Sequence, residues 1–193
     1  MALQWVMTLP VNAWHPVALS RELRPGGWLQ VQLLGRAWSL HRGDGGLVAA
    51  PPAFDVGDRY GIVWLAPAEP RTRPLEVPEA DDRRFVAGSL VPVRVPGPAE
   101  AVLERIVHGR AETGDAVVRT PSGFSHRVAD ASTGAAATVV VVLQPEDDDS
   151  TRAYGLVLLS AGPGRPLPSP ATVAAAVAVE QRALSDAALA SAA

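Results

Sequence analysis

Short apolar segments separated by turns fill the first third of the chain. Residues 28–34 partly alternate between apolar and polar side chains, and a second apolar segment spans residues 37–41. The glycine-rich run Arg42–Gly46 follows, and glycines supply the positive φ that a tight hairpin needs. Residues 47–53 look like a connection interrupted by proline. Residues 60–65 are rich in β-forming side chains and predict a further strand.

Residues 71–82 differ from the segments on either side, because they combine prolines and charges of both signs without periodicity. This composition is typical of a loop between two structural units. We therefore expect a β unit over residues 1–70, a linker over 71–82 and a second unit over 83–193.

The second unit begins with a predicted strand over residues 85–95. A helix should follow Gly97-Pro98, because proline is well tolerated in the first helical turn, and Gly109 is a plausible stop. The apolar stripe of this helix contains Val102, Leu103, Ile106 and Val107.

Alternating and apolar runs then predict an antiparallel meander over residues 116–120, 124–129, 138–143 and 152–160. Ser169 and Pro170 form an N-cap and first-turn pair for a helix that should reach about Ala190. Its expected apolar face contains Val173, Val177, Leu184 and Ala188. The fold class is therefore predicted as α+β, with an antiparallel sheet curved around a long C-terminal helix.

Composition and charge narrow the function classes. The 193 residues are 48% hydrophobic, carry a net charge of −3 and contain no basic run, so we expect neither a nucleic-acid nor a membrane partner. The apolar run 135–143 is far shorter than the roughly 20 residues of a spanning helix. The N-terminus has no basic stretch followed by an apolar one, so we expect a cytoplasmic protein. The absence of cysteine excludes disulfides and thiolate ligands from this chain.

An ordered set of short motifs in the first 70 residues resembles the opening of Rieske-type non-haem iron oxygenases, the aromatic-ring hydroxylating and O-demethylase α subunits. The matching residues are Asn12–Ala18, Glu22-Leu23, Pro25-Gly26, Leu33–Arg36, Leu40, Arg42, Asp44-Gly45, Tyr60–Leu65 and Glu69-Pro70. In that family, two cysteines and two histidines between the hairpin and the last strand hold a [2Fe–2S] cluster. In this sequence residues 45–54 lead almost directly to Tyr60, so the segment that would carry these cysteines and histidines is missing. The resemblance therefore implies a truncated Rieske-like unit that holds no cluster.

The second unit resembles the helix-grip domain of these oxygenases, which is of the START and Bet v 1 kind. The family pattern Glu-Asn-x-x-Asp-x-x-His-x-x-x-x-His can be started at Glu100, and its two histidine positions are then Val107 and Glu112. His108 is one residue out, or about 100° around the helix. Glu180 or Asp186 could correspond to the family's carboxylate ligand, although a solvated role is simpler. The resemblance thus implies a degenerate member with no iron and no other cofactor.

What the resemblance leaves intact is a cavity between the sheet and the helices. Its implied lining is Val102, Ile106, Val107, His108 and His126. We expect this cavity to bind a small hydrophobic or aromatic molecule, because ligand sites are mostly apolar with a few orienting polar groups. Two alternatives stay open. One is a non-catalytic scaffold subunit of a hetero-oligomer with an active oxygenase, whereas a homo-oligomer is the other assembly left open. The other is a metal-free cyclase or isomerase that uses His108 or His126 as acid or base.

Several other polar residues have simpler structural interpretations. No two histidines show metal-ligand spacing, and His15 and His41 are expected to be a packing residue and a solvated residue. His108 is expected to pair with Glu104 one helical turn earlier. The acidic run Glu146–Asp149 lacks the spaced oxygens of a calcium loop and predicts a solvated hairpin turn.

Overall fold

The computed structural model describes residues 11–112, 117–120 and 122–189. Within these residues there are twelve strands: β1 His15–Leu19, β2 Trp28–Leu33, β3 Arg36–Gly43, β4 Gly46–Ala50, β5 Asp55–Arg59, β6 Ile62–Ala66, β7 Phe85–Ser89, β8 Val93–Pro96, β9 Val117–Thr120, β10 Gly123–Ala129, β11 Ala136–Pro145 and β12 Ser150–Ser160. The α-helices are α1 Pro78–Asp81, α2 Ala99–Glu112 and α3 Pro170–Leu189. The predicted first residue of β9, Ala116, and the predicted end of α3 at Ala190 lie outside the described residues.

The strands form three antiparallel sheets. The outer sheet has the order β2-β3-β4 and the middle sheet the order β1-β6-β5. The large sheet has the order β7-β12-β11-β10-β9, and β8 pairs with the part of β12 that β7 leaves uncovered. An antiparallel sheet with a C-terminal helix is thus confirmed as the α+β architecture. The finer START/Bet v 1 relationship stays a prediction.

The central strand of the middle sheet, β6, is buried on both of its faces. On β6, Val63 and Leu65 pack against the outer sheet, in a core cluster that includes Leu40. Ile62 and Trp64 point the other way and pack against the large sheet. Side chains alternate between the faces of a strand, so a strand with two buried faces must be apolar at every position. This explains why residues 60–65 form an unbroken apolar run.

The two α-helices of the second unit cover the opposite face of the large sheet. On β11, Val139 and Val141 pack among the helix side chains, whereas Val140 and Val142 pack against the middle sheet. The resulting order of layers is outer sheet, middle sheet, large sheet and helices. None of the described helices is both long and apolar enough to cross a membrane.

The predicted linker contributes to the core that joins the two units. Val77 is 4% exposed and belongs to the cluster formed by the middle and large sheets, and Leu75 and Ala80 pack against it. The tyrosine hydroxyl of Tyr60 accepts a hydrogen bond from the Val77 amide at 3.1 Å. The division at residues 71–82 stays a prediction, and this segment is held against the sheets rather than solvated along its length.

Three sequence predictions are wrong in detail. Residues 46–50 form β4, because the prolines that suggested a connection stand just after the strand. The strand expected over 85–95 is divided into β7 and β8, with the Leu90 side chain folded over Gly155 between them. The helix α2 continues past Gly109, which does not have the positive φ of a C-terminal glycine stop. The strands β1 and β5 were not predicted.

The C-terminal helix begins as predicted and lies directly on the large sheet. The Ser169 hydroxyl accepts a hydrogen bond from the Thr172 amide at 3.1 Å, which is the interaction of an N-cap. Val173 and Val177 then contact β7 at Gly88, where an added Cβ would lie 2.9 and 2.6 Å from their methyl carbons. The helix can approach this closely only because residue 88 has no side chain.

We therefore expect Gly88→Ala to lower the free energy of unfolding by about 1–3 kcal/mol, as is usual for an overpacked core. Combining it with Val177→Ala should recover part of the loss, because the closest methyl carbon is removed. Urea denaturation measures both effects. Gly57→Ala on β5 is the matched control, since an added Cβ there meets no atom within 4 Å. Equal stability of Gly88→Ala and the wild type would contradict the close contact.

Candidate functional site

The structure brings together four of the five residues predicted to line a cavity. Val102, Ile106 and Val107 of α2 are buried in the core between the large sheet and the helices. His126 of β10 is 5% exposed and lies on the same side of the sheet. His108 is instead exposed on the outer surface of α2, because it is one position beyond the apolar stripe.

His126 reaches this face through the alternation of β10. Phe124 and His126 are buried towards the helices, whereas Ser125 and Arg127 face the opposite side of the sheet. The strand register places His126 between Val139 of β11 and Val117 of β9. The His126 imidazole is thus surrounded by valine and phenylalanine side chains. Binding sites for apolar ligands commonly place one polar group on such a surface, where it orients the ligand.

The two helices cover different halves of this surface. The helix α3 lies over β7, β8 and β12, where Gly88 permits close packing. The helix α2 crosses β9, β10 and β11 and therefore covers His126. We call the region between α2 and these three strands the α2 chamber face, which includes Val102, Ile106, Phe124 and His126.

An ion pair joins the two helices beside this face. The Arg110 guanidinium of α2 donates a hydrogen bond to the Glu180 carboxylate of α3. Their side chains are only 16% and 15% exposed, so Glu180 is not the solvated residue that the sequence suggested. Asp186 is exposed, as expected for a helix surface. Arg110 was not singled out, because nothing in its local sequence indicates a partner 70 residues away.

A second ion pair ties α2 to the edge of the sheet. Both carboxylate oxygens of Glu104 accept hydrogen bonds from Arg119 of β9, at 2.5 and 2.7 Å. These hydrogen bonds hold the pKa of Glu104 below its usual value. The carboxylate expected to pair with His108 is therefore engaged by an arginine from the neighbouring strand.

A buried polar cluster lies at the end of the large sheet that faces the outer sheet. Glu146 follows β11 directly, and its side chain is only 5% exposed. It contacts Arg94 of β8 at 2.7 Å and Arg152 of β12 at 3.0 Å, and it accepts a hydrogen bond from the Ser150 hydroxyl at 2.8 Å. The prediction of a solvated turn is thus wrong for Glu146, because two arginines on adjacent strands enclose it.

A chain of hydrogen bonds continues from this cluster to the outer sheet. The Tyr154 hydroxyl donates to the Gln144 side chain at 2.5 Å, and the Gln144 amide nitrogen donates to the Gln32 carbonyl at 2.5 Å. Burial raises the pKa of Tyr154, which keeps the hydroxyl protonated as a donor. The amides of Leu34 and Gly35 also donate to the carbonyls of residues 145 and 146, both at 2.8 Å. The β2–β3 turn is therefore fastened to the β11–β12 turn.

The other two histidines have no common site with His126. His15 is fully buried at the start of β1, in agreement with a packing role. His41 stacks on exposed Trp28 with 4.3 Å between the ring centroids. Among the residues described, no group of three or more His, Asp or Glu side chains is placed to hold a metal ion.

No protein-family model and no curated protein matches the sequence. Solved structures do match: NdmB of Pseudomonas putida CBB5 aligns with a TM-score of 0.68 at 14% identity, over 95% of this chain and 82% of NdmB. NdmA of the same organism gives 0.65 at 16% identity, over 93% and 79% of the two chains. Apo dicamba monooxygenase gives 0.68 at 12% identity, over 95% and 86%. The fold is that of the Rieske-type non-haem iron oxygenases.

The Rieske-type fold raises the question of whether this chain could hold the iron centres associated with it. A Rieske cluster needs two thiolates, and the chain has no cysteine. At the mononuclear site, the first expected imidazole position is Val107, which lies in an apolar core. The corresponding carboxylate candidate, Glu180, is bound to Arg110. These residues do not fit either centre.

The Arg110–Glu180 pair should contribute measurably to stability. We expect Glu180→Gln to lower the free energy of unfolding by about 1–3 kcal/mol, between the values for exposed and fully buried ion pairs. A double-mutant cycle with Arg110→Met in urea denaturation isolates the coupling between the two side chains. Asp186→Asn, on the exposed face of the same helix, is the control. A coupling energy near zero would show that the pair does not clamp the helices.

Proposed function

We propose that this protein binds a small, mostly apolar molecule at the α2 chamber face, without redox chemistry. The observation that carries the proposal is the position of His126. It is a buried imidazole whose neighbours on both adjacent strands are valines. A single polar group on an apolar surface fixes the orientation of a ligand, while the apolar contacts supply most of the binding free energy.

The fold comparisons support a small-molecule ligand. Solved structures with the same fold include NdmA with caffeine and the NdmA QL mutant with theobromine. They also include dicamba monooxygenase with non-heme iron and dicamba. Those ligands belong to those proteins, and for this chain they suggest compact aromatic or heteroaromatic compounds as the first to be tested.

The residues of this chain support binding without oxygenation. An oxygenase of this kind needs iron ligands, and here the positions that the sequence motif assigns to them supply a valine and a carboxylate that is engaged by arginine. The loss of both iron centres, which the family resemblance implies, is thus part of the proposal. Acid–base catalysis by His126 on the bound molecule is the second candidate, favoured by the same burial. His108, being exposed, is not part of it.

Thermal unfolding of the full chain in the presence of aromatic and heteroaromatic compounds tests the proposal. A compound that binds the folded state and is present at 100 times its Kd should stabilise it by about 2.7 kcal/mol. We expect His126→Leu to weaken such binding about tenfold or more, because the orienting hydrogen bond is lost. The readout is the Kd from calorimetry, together with the ring signals of His126 in NMR spectra.

The matched control is His108→Leu, which makes the same chemical change on the exposed side of α2. It should leave the Kd unchanged. If no compound in a broad panel shifts the melting temperature, or if the two leucine variants bind equally well, the α2 chamber face is not the binding site.

A further inference from the structure

A cavity lies on the other side of the large sheet from His126. It is a groove of about 330 Å³ between β2 of the outer sheet and the edge of the large sheet formed by β8 and β12. We call it the seam groove. Its charged lining residues are Glu22, Arg94, Glu146 and Arg152, and its apolar ones are Val17, Ala18, Leu29, Val31 and Ala37.

The two arginines of the seam groove are direct neighbours across the β8–β12 pair. Arg94 and Arg152 occupy opposite positions in the strand register. Like charges at opposite positions destabilise a sheet. The buried carboxylate of Glu146 lies against both of them and balances one of the two positive charges. Arg94 and Arg152 are an unfavourable pair for the sheet itself, and both side chains line the seam groove.

Both arginines contact Glu146 through the inner nitrogen of the guanidinium. Arg94 Nε lies 2.7 Å from Glu146 Oε2 and donates to the Ser150 hydroxyl, also at 2.7 Å, and Arg152 Nε donates to Glu146 Oε1 at 3.0 Å. Within the described part of the chain, the terminal amino groups of these two arginines form no hydrogen bond. Each guanidinium thus has N–H donors left for a ligand. Glu146 holds both of them in place, so less conformational entropy is lost when a ligand binds.

The remaining charged residue, Glu22, and the apolar residues of the groove determine which class of ligand can bind there. The Glu22 carboxylate also lines the groove, and one of its oxygens accepts the Leu19 amide at 2.7 Å. With this second carboxylate, the charges of the two arginines and two glutamates sum to zero, so the groove has no excess positive charge to balance a dianion such as phosphate. The apolar side chains of Leu29 and Val31 favour a hydrocarbon body. We propose that the seam groove binds a small organic monocarboxylate, with its carboxylate on Arg94 and Arg152 and its apolar part along β2.

A chain-length series of linear carboxylates tests this site on the full chain. Acetate, butyrate, hexanoate and octanoate should bind with increasing affinity, because each added methylene buries more apolar surface. Hexanamide, which has the same shape without the charge, should bind at least tenfold more weakly. Trp38 lies opposite Val31 in the β2–β3 pair, so its fluorescence should change on binding. All five tryptophans precede residue 65 in the sequence, and none of those among residues 11–112 lies on the α2 chamber face.

The decisive variant is Arg94→Met, which keeps an apolar stem and removes the more exposed of the two guanidiniums. We expect it to weaken hexanoate binding at least tenfold. Arg152→Met should do the same, and it provides a second test if one variant does not fold. Arg84→Met is the control, because Arg84 pairs with Asp82 on the surface, outside the groove residues. His126→Leu should leave hexanoate binding unchanged, so this proposal and the proposed function can fail independently.

Three results would overturn the seam groove as a carboxylate site. One is equal binding of hexanamide and hexanoate. Another is binding of inorganic phosphate at the groove that is as strong as binding of hexanoate, which would indicate general attraction of anions. The third is hexanoate binding that is unchanged in folded Arg94→Met and Arg152→Met.

Discussion

The burial of β6 on both of its faces is the constraint on which the rest of the structure depends. Ile62 and Trp64 pack into one core cluster, and Val63 and Leu65 pack into another. A shift of β6 by one residue in its pairing would exchange these two sets and put every side chain in the wrong cluster. The register of β6 with β1 therefore fixes how the outer sheet and the large sheet are placed relative to each other.

The two clusters of buried charged side chains lie at the borders between elements. The Glu146 cluster lies at the margin between the first unit and the large sheet, and the Arg110–Glu180 pair joins the two helices. Buried charges need partners, since an unpaired one would cost several kcal/mol. Both sets of partners come from separate elements, so these charged groups tie neighbouring elements together, while the apolar clusters fill the spaces between the layers. The two candidate binding regions lie on opposite faces of the large sheet.

Much of the fold could be predicted from local patterns. The long strands β11 and β12 and the Ser169 cap of α3 carry strong signals within a few residues of sequence. The strands β1 and β5 are short, and the prolines after Ala50 hid β4. Their existence depends on pairing with partners elsewhere in the chain, which a window of sequence does not contain.

The candidate site was predictable only in part. Val102, Ile106 and His126 reach the same face because helical and strand periodicity place them there. Glu146 was misjudged, because Arg94, which helps to bury it, lies more than 50 residues earlier in the sequence. The contact with Arg152 could have been found, since a hairpin between residues 145 and 150 brings Glu146 close to the start of the next strand.

The strand β9 lies at the edge of the large sheet, and this position affects the tendency of the protein to self-associate. Among the described residues, β9 pairs with β10 and with no other strand, and Val118 on it is 63% exposed. An open apolar rim is a template for adding a strand from another molecule. Arg119, held in place by Glu104, puts a charge in the middle of this short strand. Charged side chains on an edge strand disfavour such pairing, so the side chain that anchors α2 also lowers the tendency of this edge to recruit another strand.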